Sequence, residues 1–199
     1  LGITTMVIDL HAPGVTVRPL RQISGDSSFN EIFFDDVFVP DEDVVGAIDS
    51  GWTVARATLG NERISIGGAP TTLSAYLLID QLDADTAADR SITRPVADLI
   101  ATEQAMKALN LRQVQRAISG SGPGPEGNVT KLVSSEHMQH TTELWVRIRA
   151  AAAAGGDDPS AAYMYLASRA ITIAGGTSEI NRNVIAERLL GLPRGRVEN

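Results

Sequence analysis

Cysteine is absent from this 199-residue sequence, so disulfides, thiolate metal sites and cysteine nucleophiles are excluded. Positive charge is short: 17 Lys plus Arg stand against 24 Asp plus Glu, a formal net charge of −7. Nucleic-acid binding needs a basic face that displaces counterions from phosphate, and this balance argues against it. No run of 18 apolar residues occurs, and no basic segment leads into an apolar one at the start. Spanning-helix and signal-peptide readings both fail on that pattern. The serine nucleophile elbow G-x-S-x-G is missing as well. What is present is ordinary globular composition, 43% apolar and 21% charged, enough to bury a core. The expectation is a soluble cytoplasmic protein of about one domain, or of one small and one medium domain. The sequence opens at Leu1, inside a strand-like pattern and without methionine, and reads as a piece of something longer.

Two characters alternate along the chain. Residues 1–46 read as β-structure, with Met6-Val7-Ile8 as a short apolar run and His11-Ala12-Pro13-Gly14 as a turn. Val15, Val17 and Pro19-Leu20 suggest a second strand, and Phe29 to Phe34 a third, resumed after Asp35-Asp36 by Val37-Phe38-Val39. Near Asp49 the period turns helical, which sets a second expected domain over 47–199. Helices are expected from Ser50 through Ile66, from Pro95 to Ile118, from Asn128 to Ala154, from Pro159 through Ile173 and from Ser178 to Leu190. Asp157-Asp158 ahead of Pro159 supplies a carboxylate cap with proline in the first turn. Helices joined by short loops suggest an antiparallel bundle.

Few residues promise chemistry. Trp52, Ala55, Leu59, Glu62 and Ile66 are spaced 3, 4, 3 and 4 apart, so a carboxylate sits on an apolar helical stripe. Buried there, Glu62 would be desolvated and its pKa raised toward the range of a general base. The plainer alternative puts it at the stripe's edge, paired with an arginine. Gly175-Gly176-Thr177 ahead of a helix offers backbone N–H groups to an electron-rich ligand, or else is a glycine stop with a threonine cap. Gly122 to Gly127 spells G-x-G-x-x-G but follows a helix, carries two prolines and includes Glu126, so it is no nucleotide loop. His137 and His140, three apart near Glu136, lack a third ligand motif and read as a solvated helix face. Asp41-Glu42-Asp43 reads as a solvated loop.

Longer motifs then come into register. Phe33-Phe34-Asp35-Asp36-Val37-Phe38-Val39-Pro40, Gly51-Trp52 and Leu59-Gly60-Asn61-Glu62-Arg63 resemble the acyl-CoA dehydrogenase family in content and order. Ile173 to Asn183, continued by Ala186 to Arg194, resembles that family's C-terminal signature. The resemblance implies a mainly α fold: an antiparallel four-helix-type bundle preceded by a partial β-barrel segment, the second half of the family's β-domain plus its bundle. It implies α,β-dehydrogenation of an acyl-CoA thioester, with a glutamate taking the α-proton and the β-hydrogen leaving as hydride to FAD. Many members carry that glutamate where Gly175 stands here; the isovaleryl-CoA and long-chain branches carry it before an arginine on the first bundle helix, which Glu62-Arg63 matches. By the same resemblance Asn61 and Arg63 face the acyl-CoA, while Thr177 and Glu179 contact FAD.

The family's Arg-x-x-Phe-Gly motif and its glutamine-plus-Gly-Gly motif, which hold a neighbouring subunit's FAD, are both missing. This exact chain is therefore expected not to hold FAD tightly alone. The resemblance also implies electron-transfer flavoprotein as acceptor and a homo- or hetero-oligomer, with neither nucleic acid nor membrane as partner. A non-catalytic subunit of a heteromeric dehydrogenase and an acyl-CoA oxidase are the alternatives. Lysine supplies only Lys107 and Lys131 of the 17 basic residues; with abundant alanine, this points to a GC-rich bacterial genome.

Overall fold

The computed structural model describes residues 2–58, 73–120, 124–150 and 159–195. The chain divides into two compact units, Leu1–Glu62 and Arg63–Asn199. The first is built on antiparallel pairs. β1 (Thr5–Met6) pairs with β4 (Val44–Val45), and β2 (Val15–Leu20) pairs with β3 (Phe29–Phe34) over six residues, from Val15↔Phe34 to Leu20↔Phe29. The loop between β2 and β3 closes on itself, Gln22 N–H donating to the Asp26 carbonyl at 2.8 Å. Val37 to Val39 do not resume a strand. Asp36 sits at φ +50°, which swings the chain off the ladder directly after β3, and Phe38 is left exposed. β4, which the pattern did not suggest, is instead recruited by β1.

Helix α1 covers residues 51–58. Gly51 begins it because the N-terminal strand lies against its backbone: Gly51 N–H donates to the Ile3 carbonyl at 2.8 Å, and a Cβ there would come within 2.6 Å of the Thr5 nitrogen. Trp52, the first residue of the expected apolar stripe, is exposed; the stripe from Leu59 onward lies outside the described residues.

The second unit is helical. A 3-10 helix (Ala75–Gln81) leads to α2 (Ala84–Ala88), α3 (Arg90–Ile118) and α4 (Glu126–Ile148). Then come α5 (Pro159–Ala167), which runs on as a 3-10 turn (Ser168–Thr172), and α6 (Ser178–Val184), which runs on as a π turn (Ile185–Leu189). α3 starts five residues before Pro95 because the Asp89 carboxylate accepts the Ser91 N–H at 2.7 Å and caps it there. Asp157 and Asp158, the expected cap of α5, lie outside the described residues. α4 is the hub, packing on α3, α5 and α6. Ala75, Leu78, Ile92, Val96, Leu99 and Leu144 form the apolar core, with Leu82, Ile100, Trp145 and Ile148 against it. The mainly α bundle is as the sequence implied. No helix among the described residues is long and apolar enough to cross a membrane.

Candidate active site

The turn Gly175-Gly176-Thr177 is where described residues and the expected site meet. Gly175 and Gly176 both lie at positive φ, +66° and +98°, a region that disfavours any Cβ. The Thr177 hydroxyl accepts the Ile180 N–H at 3.3 Å and so caps α6. The threonine is thus a cap, as the plainer reading had it. The exposed Glu179 carboxylate is held below its ordinary range by its own backbone N–H and then by the Thr177 side chain. Thr177 and Glu179 thus stand at the start of α6, as its cap and in its first turn.

Two buried side chains, neither singled out by the sequence, hold this turn from below. Lys131 on α4 donates from Nζ to the Gly176 carbonyl at 2.8 Å, and Asn181 Nδ2 donates to the same oxygen at 2.9 Å and to the Thr177 carbonyl at 2.8 Å. Both are almost fully buried. Burial pushes the Lys131 ammonium below its ordinary value, against the pull of the Glu179 carboxylate. With carbonyls drawn inward, the Thr177 N–H finds no acceptor among the described residues. A free donor next to a peptide carbonyl held by a buried cation suits an electron-rich group, and in that respect the turn fits a flavin. Nothing in the sequence marks Lys131: Ser135, Met138 and Thr142 share its helical stripe and are buried with it, but only Met138 is apolar.

A second polar cluster lies between α3, α4 and the 3-10 helix. The Glu103 carboxylate accepts from the Ala75 N–H at 2.9 Å and from the Ser74 hydroxyl at 2.9 and 3.0 Å, and pairs with Lys107 at 3.0 Å. Burial alone would raise its pKa; Lys107, the Ala75 N–H and the Ser74 hydroxyl outweigh it, and the net direction is down. His137 corrects the sequence reading. It is buried, not solvated, with Nε2 4.0 Å from Glu103 and 3.5 Å from the Thr141 hydroxyl, while His140 is exposed. The three-residue spacing leaves the two rings only about 60° apart around the helix; what separates their surroundings is α3, whose Glu103 lies against His137. Burial pushes the His137 ring below its ordinary pKa, Glu103 opposing and His140 assisting. Asn61, Glu62 and Arg63 lie outside the described residues. Among the described residues no three metal-ligating side chains converge.

The model of the acyl-CoA dehydrogenase C-terminal domain matches residues 49–190. The chain belongs to the acyl-CoA dehydrogenase family. Similar curated proteins include acyl-CoA dehydrogenase FadE34 of Mycobacterium tuberculosis, 41% identical over 97% of this chain and 27% of that protein. Acyl-CoA dehydrogenase IpdE1 of Mycolicibacterium smegmatis is 33% identical over 97% of this chain and 50% of its own length. The chain thus spans half or less of these relatives. Among solved structures it resembles the ChsE4-ChsE5 complex of Mycobacterium tuberculosis, with TM-score 0.76 and 22% identity over 98% of this chain and 53% of that one. It also resembles a glutaryl-coenzyme A dehydrogenase, with TM-score 0.78 and 19% identity over 96% and 51%. Those two likenesses speak to the fold.

Proposed function

We propose that this chain works as the catalytic C-terminal portion of an FAD-dependent acyl-CoA dehydrogenase, with residues 1–46 closing a β-domain and 47–199 forming the bundle. The observation that carries the reading is Gly175. The family's late base position holds a glycine at φ +66°, so no side chain there can take a proton, and the family's other base position is filled by Glu62 followed by Arg63. Glu62 removes the α-proton of the thioester, Asn61 and Arg63 face the acyl-CoA, and Thr177 with Glu179 meets the flavin. The chemistry supplied by bound FAD is acceptance of the β-hydrogen as hydride. A family model that begins at residue 49 supports the division near 46. Family membership supports acyl-CoA as substrate, electron-transfer flavoprotein as acceptor, a homo- or hetero-oligomer and a cytoplasmic location.

Glu62→Gln keeps shape and hydrogen bonding while removing the basic electron pair. In the assembled dehydrogenase kcat falls about 10²–10⁴-fold with acyl-CoA still bound, the usual loss for a general base. Near-wild-type turnover in that variant would eliminate Glu62 as the base.

A further inference from the structure

We infer that Lys131 is a positioning residue for the flavin edge of this site: it draws the Gly176 carbonyl inward and sets a buried positive charge beneath Thr177 and Glu179. The inference rests on the flavoenzyme reading above. Three observations carry it. Lys131 belongs to α4, yet its ammonium reaches a carbonyl 45 residues later in the chain, at 2.8 Å. Asn181 converges on the same oxygen from α6, so two nearly fully buried side chains are committed to one peptide group of the turn. Among the described residues, moreover, no carboxylate lies within ion-pair distance of Lys131 Nζ.

A buried ammonium on a neutral acceptor is costly, and an apolar side chain of similar length would pack at lower cost. A mere spacer needs no charge. The Glu179 carboxylate draws on that charge, and the Thr177 N–H nearby is free of any described acceptor, so a further electron-rich group at the turn would meet both a free donor and a buried cation. Its field favours the more electron-rich form of such a group, which for a flavin is the reduced one.

The test uses Lys131→Met, Lys131→Gln and Lys131→Arg in the flavin-loaded dehydrogenase containing this chain, read by amide hydrogen exchange and by flavin reduction potential. Lys131→Met speeds exchange at Thr177 to Asn181 by about tenfold or more, the loss of one charge-assisted hydrogen bond, and lowers the potential. Lys131→Gln retains a donor, so exchange stays near wild type while the potential still falls. Lys131→Arg stays near wild type in both. The Gln and Arg variants decide the matter if the Met variant does not fold. A potential unmoved in the uncharged variants overturns the inference, leaving Lys131 a structural tie. Failure of the wild-type assembly to take up flavin overturns the flavoenzyme reading itself, and shows before any variant is compared.

Discussion

Among the described residues of Leu1–Glu62, Gly51 alone is buried, whereas Arg63–Asn199 buries nine apolar and eleven polar or charged side chains. The two units are thus organised by different forces. In the first, backbone ladders do the ordering: β2 and β3 pair over six residues while Phe29, Ile32, Phe33 and Phe34 stay exposed. A two-stranded sheet has no interior of its own, so alternation along it arranges side chains without drying them. In the second, helices enclose space, and whatever falls inside must be packed or hydrogen-bonded. Leu78 is packed. Thr142, Ser168 and Gln139 are bonded, through Thr142 to Ser168 at 3.1 Å and Gln139 to the Ser168 carbonyl at 3.4 Å.

Leu78→Ala should show the largest effect on stability. Leu78 has no exposed surface, and cutting a buried isobutyl group back to methyl costs about 2–5 kcal/mol through lost transfer energy plus a cavity. A thermal melt followed by circular dichroism reads it; a loss under about 1 kcal/mol would mean the helical unit is not held by its apolar core.

Acid should distinguish the units next. His137 and Glu103 both have folded pKa values below their ordinary 6.5 and 4.5, so the unfolded chain binds protons that the folded helical unit refuses. Stability is then full above pH 6.5 and falls with pH, first through His137 and then, below 4.5, through Glu103. Each unit of depression is worth about 1.4 kcal/mol. Melting temperatures taken downward from neutral pH should fall in the helical unit, and His137→Gln should flatten the first part of that fall. An unflattened curve would assign the loss to other groups.

Phe33→Ala should be the smallest. Phe33 is exposed, opposite Thr16 and under the Arg18 guanidinium at 5.0 Å, and an exposed cross-strand pair contributes about 0.2–1 kcal/mol. A cost as large as that of Leu78→Ala, measured by the same melt, would erase the contrast between the units.

Local patterns were legible wherever the cause is local. The β2–β3 hairpin follows from Val15, Val17 and the Phe29 to Phe34 run bounded by turn residues, and α6 follows from Gly175-Gly176 with Thr177 as its cap. The Glu62-Arg63 pair and the glycine at 175 could be read against a family without any coordinates. Burial could not. A three-residue spacing places His137 and His140 near each other along one helix, but α3 brings Glu103 against one ring and the other is left exposed. Lys131 looks in sequence like an ordinary surface lysine; only the return of the chain 45 residues later puts a carbonyl over its ammonium. Sequence alone determined the β2–β3 hairpin and the long helices of the bundle, because backbone propensity and capping act within a few residues. Tertiary structure decided which charges are dry and what they hold, because solvent is excluded only where distant segments meet.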